Sequence, residues 1–253
     1  MNTLLQDKAV LITGGATGIG KATALACSRE GAAVVIADVK HEEGEKAAQE
    51  IEENGGACIF TATDVSRDGD VRKLMDKTIE KYGRLDCAFN NAGIEGEQST
   101  TALTSEENWD TVIAINLKGT WLCMKHEIDQ MLKQNSGSIV NMSSVAGLIG
   151  FEGICAYDAA KHGIIGLTKT ASLEYAQSGI RVNAVCPGII ETAMVKRFVG
   201  DDPEAAAAFA SNEPVGRMGR PEEVSEAVVW LFSDAASFVT GHSMVIDGGM
   251  TAL

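Results

Sequence analysis

Short runs of apolar, largely β-branched residues alternate along this chain with longer stretches whose apolar positions recur every three or four residues. The runs KAVLIT (8–13), AAVVIA (32–37), ACIFTAT (57–63), LDCAFN (85–90), GSIVNMS (137–143), IRVNAVC (180–186) and SMVID (243–247) predict seven strands. Between them, 18–30, 41–54, 67–82, 106–134, 156–178 and 221–233 carry the helical period. Strands that are apolar along their whole length must be covered on both faces, and helical crossovers between them require parallel pairing. The fold class predicted is therefore α/β, a single doubly wound, Rossmann-type domain spanning 1–253 with a parallel sheet of about seven strands. The alternation breaks between Ile189 and Gly219, where Gly200, Pro203, Pro214 and Gly216 interrupt any long element. Following the sixth strand, such an insertion belongs at the carboxyl edge of the sheet, where ligands bind, and is expected to cover the substrate.

Composition narrows the function classes. The 253 residues are 45% hydrophobic and 22% charged, ordinary for a globular chain long enough to bury a sizeable core. A formal net charge of −14 argues against phosphate-backbone binding and against an anionic membrane surface, so no nucleic-acid or membrane partner is expected. Cys27, Cys58, Cys87, Cys123, Cys155 and Cys186 are scattered without a C-x-x-C pair, which predicts free thiols and no zinc site. The four histidines show no metal-ligand spacing either, so each is expected to be a surface or satisfied residue and no metal is expected. The start MNTLLQDKAVLITGG has no basic leader with an apolar core, and no apolar run reaches eighteen residues. A soluble, cytoplasmic protein acting on a small molecule is the expectation.

Candidate chemistry begins with TGGATGIG (13–20), placed between the first strand and the first helix. Gly14, Gly18 and Gly20 allow a tight turn and let backbone N–H groups approach a pyrophosphate at the helix N-terminus. Asp38 ends the second strand, where an acid accepts from ribose hydroxyls and repels a 2′-phosphate. No arginine stands in the glycine loop, and Lys40 is expected to point to solvent, so NAD is favoured over NADP.

In SSVAGLIGFEGICAYDAAKHG (143–163), Ser144 lies thirteen positions before Tyr157, and Lys161 four positions after it. Residues at i and i+4 share a helix face. An ammonium beside a phenol, whose ordinary pKa is about 10, favours the phenolate and lowers that value. A partly buried tyrosine with a solvated lysine gives the same spacing without any chemistry.

TGGATGIG, Asp64-Val65, NNAG (90–93), Asn116, Ser144…Tyr157-x-x-x-Lys161 and PGIIET (187–192), in this order, resemble a short-chain dehydrogenase/reductase. The resemblance runs from residue 8 to VIDGG (245–249), nearly the whole chain. It implies that Gly14, Gly18, Ile19 and Gly20 line the pyrophosphate, Asp38 the adenosine ribose, and Asp64 with the Val65 N–H the adenine. Asn90, Ala92 and Gly93 would run along the ribose, while Pro187, Gly188, Ile190 and Thr192 hold the nicotinamide end. Tyr157 would be the general acid/base, Ser144 the hydrogen-bond partner of the reacting oxygen, and Lys161 the group that lowers the phenol's pKa and binds the nicotinamide ribose. Asn116 would position a water linking Lys161 to solvent. The thirteen-residue step selects Ser144 over Ser143, a strand-end residue.

Asp158 and Ala160 depart from the serines usual in this motif, and Asp158 is expected to face solvent or a subunit contact. The mouth is assigned to Ile94 and Glu95, Val145 and Ala146, Phe151 to Ile154, and Met194 to Phe198. Ser144, Glu95, Phe151, Glu152 and Met194 are the substrate candidates. Two acids, Glu95 and Glu152, in an apolar set favour a neutral or cationic substrate. Trp109, Trp121 and Trp230 read as core or interface. The expected activity is NAD-dependent exchange between a secondary alcohol, such as a cyclic alcohol or dihydrodiol, and its ketone. The alternatives are a 3-oxoacyl-carrier-protein reductase, a sugar dehydrogenase, and a dinucleotide sensor without chemistry. The resemblance also implies a homotetramer built on the fourth and fifth helices and the last strand.

Overall fold

The computed structural model of the protein describes residues 3–200, 202–211 and 213–252. Its strands are β1 (Ala9–Thr13), β2 (Ala33–Asp38), β3 (Ala57–Ala62), β4 (Cys87–Asn90), β5 (Gly137–Met142), β6 (Ile180–Pro187) and β7 (Ser243–Ile246). They form one parallel sheet in the order β3-β2-β1-β4-β5-β6-β7. The helices are α1 (Gly18–Arg29), α2 (His41–Glu53), α3 (Asp68–Tyr82), α4 (Glu106–Val112), α5 (Gly119–Gln134), α6 (Cys155–Tyr175), α7 (Ala193–Val199), α8 (Pro203–Ala210) and α9 (Pro221–Phe232). The predicted strands and the α/β class agree with this architecture.

Period-two alternation explains how the sheet fills both layers. Val10 and Ile12 of β1 join Val34 and Ile36 of β2 on one face, packed on Ala24 and Cys27 of α1 and Val224, Val228 and Phe232 of α9. Leu11 and Val35 turn the other way, onto Leu74 and Met75 of α3 and Met124, Ile128 and Met131 of α5. Every residue of β1 and β4 is buried, which is why neither strand needs a polar face.

The strand order reverses between β1 and β4, which pair directly with Thr13 opposite Asn90. Connections leaving these two strands diverge to opposite faces and leave a crevice above their carboxyl ends. The predicted 106–134 helix is interrupted by a π-helical segment, Ile113–Lys118, at that crevice. Hydrophobic period alone does not distinguish one wide turn from continuous α-helix. Of the predicted insertion at 189–219, Asp201 and Asn212 lie outside the described residues. Its neck is zipped: Gly219 N–H donates to Ile189 O at 2.9 Å and Glu191 N–H to Gly219 O at 2.8 Å. The buried Glu213 accepts from Ile189 N–H at 2.6 Å, tying the returning chain to the end of β6.

Between α5 and the sheet lies a polar chain. Asn90 Nδ2 donates to Glu127 Oε2 and to Asn141 Oδ1, each at 3.0 Å, and Asn141 Nδ2 donates to Thr168 Oγ1 at 3.0 Å. Glu127 is 1% exposed, and its Oε1 has no partner among the described residues. Burial pushes its carboxyl from 4.5 up to about 8, with the Asn90 hydrogen bond opposing. The folded chain therefore keeps a proton that the unfolded chain releases above pH 4.5. Stability from this group is full below 4.5, falls as pH rises towards about 8, and levels off above it. Glu127→Gln is expected to flatten that slope, which urea midpoints of both proteins across the window will show; equal slopes would contradict the protonated state.

Candidate active site

A cavity of about 420 Å³ opens at the carboxyl edge of the sheet, above the crevice between β1 and β4. Its floor at one end is the glycine loop. Gly14 has φ 62°, and a Cβ there would stand 2.8 Å from Ala92 Cα, so the loop closes against the β4 exit only as glycine. A Cβ on Gly20 would overlap the Gly14 carbonyl oxygen, so Gly20 serves the packing of α1 on its own loop rather than lining the cavity. Asn91 completes the joint: its Nδ2 donates to Thr13 O at 3.1 Å and Gly14 O at 2.9 Å.

Asp38 borders the cavity with its carboxylate fixed on both sides. Oδ2 accepts from Ala16 N–H at 3.1 Å and Oδ1 from Lys40 N–H at 3.0 Å. Lys40 is exposed, as expected, although it also lines the cavity rim. Asp64 and Val65 line the same end, with Asp64 held by Ser66 N–H at 3.0 Å, Ser66 Oγ at 2.6 Å and Arg67 Nε at 3.1 Å.

At the other end, α6 presents Tyr157 and, one turn on, Lys161 into the cavity. Lys161 Nζ donates to Met142 O at 2.8 Å and stands 5.2 Å from the Tyr157 ring centroid. Ser144 caps a 3₁₀ turn, Val145–Gly147, by accepting from Ala146 N–H at 3.1 Å. Ser143 Oγ instead donates to Lys161 O at 2.9 Å and is buried. Ser143 thus locks β5 to α6, and Ser144 lies beside the phenol.

Electrostatics corrects one expectation. Lys161 does not depress Tyr157 in the protein alone. Burial pushes the phenol up to about 12; contact with Ser144 opposes this, and Glu95 and Asp158 add to the rise. Burial also brings the Lys161 ammonium down to about 8. The ammonium donates to the Met142 carbonyl, and burial is the largest cause of the shift at both groups.

Other placements differ from expectation as well. Asp158 does not face solvent: Oδ2 accepts from Phe151 N–H at 2.7 Å and Oδ1 is buried without a partner among the described residues, so this acid staples the 148–153 loop to α6. The Asn90 side chain lies under the cavity in the Glu127 network, and Asn91 takes the lining position. Asn116 is fully buried and does not line the cavity; its amide accepts from Ile94 N–H and donates to Ile94 O, both at 2.8 Å. That side chain therefore shapes the 93–95 loop. Gly14, Gly18, Ile19, Asp38, Asp64, Val65, Ala92, Gly93, Pro187, Gly188, Ile190, Thr192, Ser144 and Met194 all line the cavity. Glu95, Phe151 and Glu152 do not, and Glu152 is exposed. The Phe198 side chain lies outside the described residues. Arg197, absent from the expected set, lines the cavity and forks onto Glu95 at 2.6 and 3.0 Å. Glu95 is therefore not the uncompensated acid that the sequence suggested.

A family model described as enoyl-(acyl carrier protein) reductase matches residues 14–251. A cyclohexanol dehydrogenase of Acinetobacter sp. is 42% identical over 252 residues, covering 100% of this chain and 98% of the relative. The chain belongs to the short-chain dehydrogenase/reductase family. A 3-oxoacyl-(acyl-carrier-protein) reductase of Thermotoga maritima is 43% identical over 247 residues, covering 97% of this chain and 98% of that one. Among solved structures, levodione reductase superposes with a TM-score of 0.96 at 38% identity, covering 98% of this chain and 99% of the other. Members of this dehydrogenase family work with nicotinamide dinucleotides. The residues present fit such a group, since the Gly14 cradle would be filled by any Cβ and a fixed carboxylate stands at the end of β2.

Ionisation of Tyr157 gives a direct check of the site's electrostatics. The ultraviolet difference titration between wild type and Tyr157→Phe is expected to show no tyrosinate from this residue below about pH 10, because burial holds it near 12. A difference signal at neutral pH would show that Lys161 governs the phenol after all.

Proposed function

We propose that this short-chain dehydrogenase/reductase oxidises a secondary alcohol to the ketone with NAD, and runs in reverse with NADH. The observation that carries the reading is the convergence of Ser144, Tyr157 and Lys161 on one end of a cavity whose other end is bounded by the glycine loop and Asp38. When bound there, the nicotinamide supplies the hydride acceptor or donor. Tyr157 exchanges the proton of the carbinol or carbonyl oxygen, and Ser144 donates a hydrogen bond to that oxygen as charge develops on it. Lys161, held by Met142 O, reaches the nicotinamide ribose. Asn116 is a positioning residue: by clamping Ile94 it sets the loop that faces the reacting centre.

The cofactor residues are Gly14, Gly18, Ile19, Asp38, Asp64, Val65, Ala92, Gly93, Pro187, Gly188, Ile190 and Thr192, with Gly20 and Asn90 supporting them from beneath. NAD is preferred because the Asp38 carboxylate is fixed by Ala16 and Lys40 N–H groups where a 2′-phosphate would need a cation. Relatives that act on cyclohexanol and on levodione favour a cyclic alcohol or ketone. The similar 3-oxoacyl-(acyl-carrier-protein) reductase keeps a thioester substrate as the second reading. The whole chain is one domain, and the 189–219 segment covers the substrate. Trp109 and Trp121 in the 106–134 stretch (α4 and α5), Leu173 on α6 and Val245 on β7 are 41%, 46%, 85% and 42% exposed, which supports subunit contacts of a homotetramer on 106–134, 156–178 and the last strand. Among the described residues no helix is long and apolar enough to cross a membrane, consistent with a cytoplasmic enzyme.

NADH formation from NAD with cyclic alcohols, dihydrodiols, sugars and 3-hydroxyacyl thioesters, beside NADPH formation from NADP, tests the reading. Tyr157→Phe is expected to lower kcat at least about a hundredfold, the scale of lost general acid–base catalysis. Asp38→Asn is expected to raise the NADP-to-NAD ratio of kcat/KM about tenfold by removing a like charge from the phosphate position. Turnover by wild type with NADP alone would overturn the Asp38 argument and favour the thioester reductase.

A further inference from the structure

Arg197 lines the cavity and pairs with Glu95, which stands outside the lining, and proton and hydride exchange do not require this pair. Arg197 on α7 donates through Nε to Glu95 Oε1 at 2.6 Å and through its terminal nitrogen to Oε2 at 3.0 Å. The two residues are 102 positions apart, one in the covering segment and one on the loop after β4. Their side chains are 56% and 20% exposed, so Arg197 reaches solvent while Glu95 sits against the protein. Burial raises the Glu95 carboxyl, but the Arg197 fork more than offsets it and leaves the group below its ordinary value; Arg197 is held correspondingly up. Both stay charged.

Among the described residues that line the cavity, the cations are Lys40, Lys161 and Arg197 and the acids are Asp38 and Asp64. Lys40, Asp38 and Asp64 belong to the adenosine end, and Lys161 lies beneath Tyr157. Arg197 is thus the cation that an alcohol bearing a carboxylate would seek at the substrate end. Its fork is already filled. A substrate anion would have to displace Glu95, leaving a largely buried carboxylate unpaired, or lie beside that carboxylate; both disfavour it. An uncharged alcohol disturbs neither group.

We propose that Glu95 determines specificity by occupying Arg197, so that the site takes uncharged secondary alcohols and rejects those carrying a carboxylate. This rests on the alcohol-oxidising reading above. The sequence favoured a neutral or cationic substrate because of two acids; here the preference is for a neutral one, and its cause is a filled guanidinium.

The test compares kcat/KM, with NAD, for cyclohexanol and for cis-4-hydroxycyclohexanecarboxylate in wild type, Glu95→Gln and Glu95→Gln/Arg197→Gln. Wild type should favour cyclohexanol. Glu95→Gln should raise the carboxylate-to-neutral ratio about tenfold or more, through a lower KM for the carboxylate, as expected for a freed bidentate partner. The double variant should lose that gain, which assigns it to Arg197. A wild-type preference for the carboxylate, an unchanged ratio in Glu95→Gln, or a gain that survives in the double variant overturns the proposal. Should wild type turn over neither alcohol, the alcohol reading fails, and calorimetric binding of cyclohexanecarboxylate to each protein with NADH decides the charge argument separately. Tighter binding by Glu95→Gln alone supports it; equal binding by all three overturns it. If Glu95→Gln does not fold, Arg197→Gln supplies the opposite arm, and its ratio must fall below that of wild type.

Discussion

The reversal of strand order between β1 and β4 is the constraint on which the rest of this molecule depends. Two parallel strands whose connections leave in opposite directions cannot close the space above their ends. Sequence then has to furnish that space with groups that tolerate it. Gly14 does so by lacking a Cβ, and Asn91 by turning its amide back onto the Thr13 and Gly14 carbonyls. The β5 exit contributes Ser144 to the same space because Ser143 ties its own strand to α6. Fold and site are therefore not separable layers in this protein: each group that holds the crevice open also sets the position of one that faces it.

Desolvation is the second organising force. It keeps Tyr157 protonated, lowers Lys161 and keeps Glu127 neutral beneath the sheet, in each case against or without an available counter-charge. In the protein alone, burial thus moves each member of the acid–base pair toward its neutral form. On the proposed reading, an oxidised nicotinamide held at this end would bring a positive charge toward the phenol.

Much of this was legible in the sequence because it is written in short-range order. The strand runs, the i, i+4 step from Tyr157 to Lys161 and the thirteen-residue step from Ser144 are all local spacings. What was not legible depends on long-range contact or on a single wide turn. The π-helical segment around Asn116 keeps an ordinary helical composition, and its amide is spent on a loop twenty-two residues away. Asn90 and Asn91 are adjacent asparagines, and only the sheet's pleat decides which points down to Glu127 and which reaches the cavity rim. Nothing in the local composition links Glu95 with Arg197. Asp158 was misjudged because the loop it staples folds back over its own helix.

The zipped neck at Ile189–Glu191 and Gly219 has a consequence for how such a chain can change. The segment that leaves there returns to the same pair of residues, with Glu213 fastened to Ile189 just inside. Everything beyond is a closed loop hung from a fixed pair of posts, and its closure entropy is nearly independent of what it contains. Helices of different length or chemistry can be exchanged there without disturbing a single sheet hydrogen bond. The fold thus separates the part that can diversify from the part that cannot, and the diversifying part contributes Thr192, Ala193, Met194, Val195 and Arg197 to the cavity wall.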